Sequence, residues 1–326
     1  MTIHKANWLL VGLVCLALWP AHAPAQGGQW QSYITAGQQA YQQADYAEAE
    51  KQFEAALKQA EAFGPDDVRL ATSLNNLAVL YDAQSRYTES EPLYQRSLAI
   101  REKTLAIREK ALGPEHPDVA QSLNNLALLY QAQGRYAEAE PLHQRSLAIR
   151  EKALGPEQPS VATGLNDLAG LFEAQARYAE AEPLYKRALA IFEKALGREH
   201  PQVATGLNNL AVLFKAQGRY AEAETLYQRS LAIREKALGP EHPRVATSLN
   251  NLALLYHAQG KYGEAEPLYK RALAILEKAL GAEHPNVAAG LENYADLLRR
   301  AGRGTEAKEM EARAKAIRAK HARANP

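Results

Sequence analysis

The feature that most constrains this chain is a period. Asn124, Asn166, Asn208 and Asn250 stand 42 residues apart, and Tyr136, Tyr178, Tyr220 and Tyr262 keep the same step. A fixed step of this length means stacked copies of one supersecondary unit, each too small to bury its own apolar face and each packing on its neighbours. The 326 residues are therefore expected to form one elongated domain, although their number alone would suggest roughly two globular ones.

Within a copy the apolar residues follow helical spacing: Leu123, Leu126, Ala127 and Tyr130 fall at i, i+3, i+4 and i+7. That pattern predicts one helix with one buried stripe. Gln133-Gly134-Arg135 supplies a turn, and Ala139, Leu142, Ser146, Leu147 and Ile149 continue as a second amphipathic helix. The small residues Ala127 and Ala139 mark a close helix approach. Gly155 ends the second helix, and Pro156 and Pro159 keep it from continuing. Pro92, Pro141, Pro183 and Pro267 are read just inside the start of the second helix, where few backbone donors are lost; Thr225 takes that place in one copy.

One interval is longer, because Asn75 and Asn124 are 49 residues apart. The extra seven are visible as LAIREKT followed by LAIREKA across residues 98–111. A heptad adds about 10 Å of helix and turns the stripe by only about 20°. The second helix of that copy is expected to project beyond its neighbours, either as a tolerated duplication or as a contact surface. Residues 26–71 read as a divergent first unit, two helices with a turn near Asp45, in which Gly37, Tyr46, Ala49, Phe53 and Ala56 take the places of Ala127, Tyr136, Ala139, His143 and Ser146. Residues 289–326 read as a capping unit with a basic final helix. Arg299 to Arg323 holds nine basic residues against three acidic. Such a helix most often keeps the end of a stack soluble; docking to an acidic partner or anionic lipid is the alternative.

The LNNLA core of the first helix, the GRYAEAEPL turn and the LAIREKALGPEHP exit together resemble the tetratricopeptide repeat, in the 42-residue form found in kinesin light chains. Five copies, beginning near Thr72, Gln121, Thr163, Thr205 and Thr247, span residues 72–288. The resemblance implies an all-α solenoid of antiparallel helix pairs, seven in number, forming a right-handed superhelix.

The first residues carry a different signal. His4 and Lys5 precede an uncharged apolar run from Trp8 to Trp19, Pro20 ends it, and Ala23-Pro24-Ala25 has the small-x-small form of a cleavage site. Residues 1–25 are read as a signal peptide cut after Ala25, sending the chain to a periplasm or the outside; retention as an anchor is the alternative. The apolar run is short for a bilayer core about 30 Å thick, so no stable membrane insertion is expected after cleavage. Cys15, the one cysteine, lies inside this leader, and Leu13 and Val14 before it do not suit lipidation. The mature chain would hold no thiol. The 38 basic residues, less Lys5, equal the 37 acidic ones, which gives no footprint for nucleic acid.

Catalysis is not expected. His116, His200, His242 and His284 each follow a glutamate in the linker, but they recur once per copy, whereas a zinc site needs about four converging ligands. They are read as loop packing before the next helix, with Gln158 in the same place elsewhere. Paired acids recur as Glu138 with Glu140, Glu180 with Glu182, Glu222 with Glu224 and Glu264 with Glu266, and are read as solvated faces with Arg and Lys partners. A catalytic dyad is usually a single event at one pocket. No cofactor or metal is expected.

Binding remains. With Leu123, Leu126, Ala127 and Tyr130 turned into the stack, Asn124, Leu128 and Gln131 form a separate stripe at i, i+4 and i+7. The resemblance carries a groove role, holding extended peptides, to Asn75, Asn124, Asn166, Asn208 and Asn250. An amide suits it physically, since it both donates and accepts. The alternative is that these asparagines bond neighbouring repeats; that packing role is favoured for Asn76, Asn125, Asn209 and Asn251, with Asp167 replacing the amide once. Specificity is expected from the variable positions: Val79, Leu128, Gly170, Val212 and Leu254, an apolar strip with a gap, and Asp82, Gln131, Glu173, Lys215 and His257, a charged row. The chain thus reads as an exported scaffold or adaptor for a protein or peptide, with a self-assembling structural protein of the cell envelope as the alternative.

Overall fold

The computed structural model describes residues 27–42, 45–84 and 86–324; the leader expected over residues 1–25 lies outside them. Fourteen helices make up the described secondary structure: α1 (Gly27–Gln42), α2 (Tyr46–Glu61), α3 (Val68–Ala83), α4 (Tyr87–Leu112), α5 (Pro117–Ala132), α6 (Tyr136–Leu154), α7 (Pro159–Ala174), α8 (Tyr178–Leu196), α9 (Pro201–Ala216), α10 (Tyr220–Leu238), α11 (Pro243–Ala258), α12 (Tyr262–Leu280), α13 (Pro285–Arg300) and α14 (Gly304–Ala324). They fall into two compact units, one ending at Leu142 and one running from His143 to Ala324, so the division lies within α6. Among the described residues no helix is long and apolar enough to cross a membrane.

The same short signals start and stop these helices. His116, His200, His242 and His284 are N-caps: each Nδ1 accepts the backbone N–H two residues on, at 3.2, 3.1, 3.1 and 3.0 Å, and a proline follows at the first helical position. An imidazole can do this because its unprotonated nitrogen is an acceptor, and the donor it satisfies has no intrahelical partner. Gln158, in the same place, makes no such bond. At the other end Gly197, with φ 86°, stops α8 and returns its N–H to the Glu193 carbonyl. Glycine adopts that left-handed φ without penalty. At the turn inside the same pair Ala176 holds φ 57° where Gly134, Gly218, Gly260 and Gly302 stand in other copies, a strain of roughly 1 kcal/mol or more.

An arginine locks most of these turns, with Lys261 in its place between α11 and α12. Arg86, Arg135, Arg177 and Arg219 lie over the rings of Tyr81, Tyr130, Phe172 and Phe214 at 3.9, 4.2, 4.1 and 3.8 Å, and each pairs with the glutamate three residues on. Arg219 also reaches back one repeat to Glu182, at 2.7 Å. Most of the paired acids are thus ion-paired on helix faces. The prolines sit deeper than expected, since Pro141 is the sixth residue of α6 and not in its first turn. The carbonyl four residues earlier then loses its helical donor, and in the threonine copy the Thr225 hydroxyl donates to that carbonyl, Ala221 O, at 3.1 Å.

In the first unit α1 packs on α2 and α3 on α4, while α2 meets α3 and α4 meets α5. The core includes Trp30, Ile34, Phe53, Leu70, Leu74 and Tyr81, and Trp30 Nε1 donates to Ser73 Oγ at 2.9 Å to tie the first pair to the second. Asp45 caps α2 by accepting the Glu48 N–H at 3.0 Å. Gly37 replaces the alanine of later copies because a Cβ there would lie 2.5 Å from the Phe53 ring.

The heptad does not project freely. At 26 residues α4 exceeds the 19 of α10, and its two heptads face different neighbours. Lys103 pairs with Asp66 at 2.6 Å, as Lys236 of α10 pairs with Glu199 at 3.1 Å. Arg108, seven residues after Arg101, donates to Ser122 of α5 at 2.7 Å, as Arg234 of α10 does to Ser248 of α11. One Arg-Glu-Lys segment serves both neighbours in α10; in α4 the work is divided between two.

In the second unit α7 packs on α8, α9 on α10, α11 on α12 and α13 on α14, and each second helix meets the following first helix. Ala169, Ala181, Ala211, Ala223, Ala253 and Ala265 are fully buried where the helices approach most closely. The basic excess of residues 299–323 is mostly consumed locally: Arg303 pairs with Glu266 and Glu306, Arg313 with Glu277, Arg318 with Glu292 and Lys320 with Glu283.

Candidate functional site

The stripes singled out by the sequence are the half-exposed sides of the first helices. In α9, Leu207, Leu210, Ala211 and Phe214 are buried, while Asn208, Val212 and Lys215 are half-buried. In the second unit α7, α9, α11 and α13 also touch one another in sequence, which brings their stripes side by side.

The asparagines form a ladder. Asn251 Nδ2 donates to Asn208 Oδ1 at 2.9 Å, and Asn293 Nδ2 donates to Asn250 Oδ1 at 3.1 Å. In these two rungs the second asparagine of one repeat reaches back to the first asparagine of the repeat before it. The packing role expected of Asn251 is seen, and the first-position amide of Asn208 and Asn250 shares in it through its oxygen. Asn166 Oδ1 is buried without a hydrogen bond. In the first unit Asn75, Val79 and Leu128 are half-buried, whereas Asn124 and Gln131 are only 4% and 7% exposed.

The next row is charged and partly sealed. Tyr185, from α8, donates its hydroxyl to Glu173 Oε2 at 2.8 Å. Burial pushes the Glu173 carboxyl above its usual range and this bond draws it partly back; burial and Glu173 together push the tyrosine well up. The gap expected at Gly170 is where that hydroxyl comes in, 3.6 Å from where a Cβ would stand. Burial holds the Lys215 ammonium below its ordinary value. His257 is lowered first by burial, against a raising effect of Asp296, whose Oδ2 is 3.6 Å from Nε2. Leu254 is half-buried beside it.

Tyr185, Tyr227 and Tyr269 were not anticipated as part of this face. They lie on second helices, almost fully buried, and recur at the repeat step, which was the available signal. No group of three or more His, Cys, Asp or Glu among the described residues is placed to hold a metal ion.

The profile of the tetratricopeptide repeat matches residues 31–103, 101–152, 118–194, 160–236, 202–278 and 245–320. The chain belongs to the tetratricopeptide repeat family. Solved repeat proteins of the kinesin light chain type are similar to it. BtubC (BKLC) from P. vanneervenii is 27% identical with a TM-score of 0.60, over 69% of this chain and 91% of that one. Nearly identical TPR-like repeats from Podosopora anserina, attributed to a kinesin light chain, are 35% identical with a TM-score of 0.56, over 63% of this tetratricopeptide repeat chain and 98% of theirs. A Rap protein complexed with Competence and Sporulation Factor shares the fold alone, at 16% identity and a TM-score of 0.57, over 90% and 76% of the two chains. No curated protein matches the chain significantly.

Proposed function

We propose that this tetratricopeptide repeat protein is an exported adaptor that holds an extended segment of a protein or peptide across the first-helix face, without catalysis. The observation that carries this is the state of Asn208 and Asn250. Each has its oxygen taken by the next repeat, which fixes the side chain and leaves its amide N–H donors for a peptide carbonyl. A donor fixed in advance loses little freedom on binding. The half-buried Val212 and Leu254 lie one turn further along the same stripe and offer apolar contact. Export rests on the leader sequence ending at Ala25.

The ladder decides which variant can test this. Alanine at residue 208 would leave the Asn251 amide without its acceptor, so lost binding and lost packing would be confounded. Aspartate keeps the acceptor and removes the donors. In a crosslinking pull-down from envelope extracts, the mature chain is expected to capture a partner that the Asn208→Asp, Asn250→Asp variant releases while its melting temperature stays unchanged. Equal capture by both proteins sinks the asparagine reading. Capture of only the chain itself favours a self-assembling array.

A further inference from the structure

In the second unit the first-helix face is left open at one place, around Gly170 on α7. Val212 and Leu254 fill the same place on α9 and α11. Nothing in the fold demands the glycine: the backbone there is ordinary helix, and an added Cβ would meet only the Tyr185 hydroxyl, at 3.6 Å, a normal contact. A glycine inside a helix costs stability relative to alanine. The groups around the gap are acceptors with unmet needs. Glu173, one turn on, accepts the Tyr185 hydroxyl at 2.8 Å, and no lysine or arginine among the described residues answers its charge. Elsewhere in this unit Glu182, Glu193, Glu199, Glu224, Glu235 and Glu266 each reach one. Lys215, at the same place on α9, pairs with no described residue, and its field falls on His257 and not on Glu173. Asn166, one turn before the gap, keeps its Oδ1 buried without a hydrogen bond, since Asn209 does not make the rung that Asn251 makes to Asn208.

We propose, building on the peptide-binding reading above, that the gap at Gly170 is a pocket for one lysine side chain of the bound segment, its stem lying in the gap and its ammonium on Glu173. A half-buried carboxylate without a counter-charge costs stability, and a cation from outside supplies the missing partner. The acceptors select the kind of cation. They are the free oxygen of Glu173, the lone pairs of the Tyr185 hydroxyl and, once its amide turns about the last side-chain torsion, Asn166 Oδ1. An ammonium carries three donors and no acceptor, so it can meet all of them. A guanidinium suits the place less, because its fork takes both oxygens of a carboxylate and Tyr185 already holds one. Asp167, also on α7, adds negative potential at the Tyr185 hydroxyl, although Arg150 answers part of its charge. Val212, at the same place on the neighbouring α9, gives the unbranched stem an apolar contact.

A random dodecapeptide library is to be selected on the mature chain and on the Glu173→Gln and Gly170→Leu variants. Glutamine keeps an oxygen for the Tyr185 hydroxyl, and leucine is what stands at residue 254, so both variants are expected to fold. The wild type should enrich lysine, and not arginine, at one fixed position. Glu173→Gln should weaken the selected peptide by about tenfold or more, and its effect should vanish for a peptide carrying norleucine there, which keeps the stem without the charge. Gly170→Leu should lose the lysine preference and still hold peptides with alanine at that position. Peptides enriched without a fixed lysine, or held equally by Glu173→Gln, overturn the assignment and leave the groove standing. Enrichment of no peptide overturns both. Independently of any ligand, Gly170→Ala should melt at the same temperature as the wild type or higher; a lower melting temperature would make the gap a packing requirement and overturn the proposal.

Discussion

At the scale of single residues, what repeats is structural and what breaks the repetition is informative. The linker histidines recur, and their identical capping bonds explain why without a metal. His143 breaks a column that holds Tyr185, Tyr227 and Tyr269, and it is 1% exposed. Burial first, with the charge of Arg150 second, lowers its pKa from 6.5 to about 4. The folded state therefore resists a proton that the unfolded chain accepts. Its contribution is complete above about pH 6.5 and is lost as the pH falls through about 4, at most about 3 kcal/mol. Urea titrations at pH 7.5 and pH 5 should show a smaller stability difference for His143→Tyr than for the wild type; equal differences would show that His143 is not the titrating group. The tyrosine column and its one histidine can be read directly from the sequence. That Lys215 lacks a partner cannot, because pairing depends on which side chains of adjacent repeats the stacking brings together.

At the scale of the helix, stripe, turn and cap were legible from apolar spacing and from glycine and proline. The register between helices was only partly so. A seven-residue insertion preserves the buried face of α4, which is why it reads as a harmless extension. The observed consequence is that the linker before α3 and the helix α5 engage different heptads of one helix. Deleting residues 105–111 should return both contacts to Arg101 and Lys103, as in α10. The shortened chain is expected to unfold in one cooperative transition, within a few degrees of the wild type by circular dichroism. A broad or split transition would mean that the longer helix carries an arrangement the shorter one cannot reproduce. Leu112, exposed at the end of α4, should be the side chain whose protease susceptibility changes.

At the scale of the whole molecule, stability is a sum of nearest-neighbour interfaces, so the ends matter more than their size suggests. In the second unit α14 covers α13, whose Leu291, Leu297 and Leu298 are almost fully buried. Ending the chain at Arg303 should expose them and give concentration-dependent light scattering at neutral pH; a monodisperse truncated protein would show that α13 can serve as a cap itself. The sequence reads the basic end mainly as a charged cover that keeps the stack soluble, with docking as the alternative. Its arginines answer acids of the preceding helices and linker, a pairing hidden by separations such as the 37 residues from Glu266 to Arg303, just before α14.

The asparagine ladder has a direction, since every observed rung runs from the amide of one repeat to the oxygen of the repeat before it. The repeat that begins with α11 therefore carries both halves of the joint, the Asn251 donor and the Asn250 acceptor. That segment, copied or excised in frame, would meet complementary halves on both sides. Recombination between near-identical stretches of the coding sequence could then lengthen or shorten the array by whole units, with the ladder acting as a proofreading joint that rejects fractional ones.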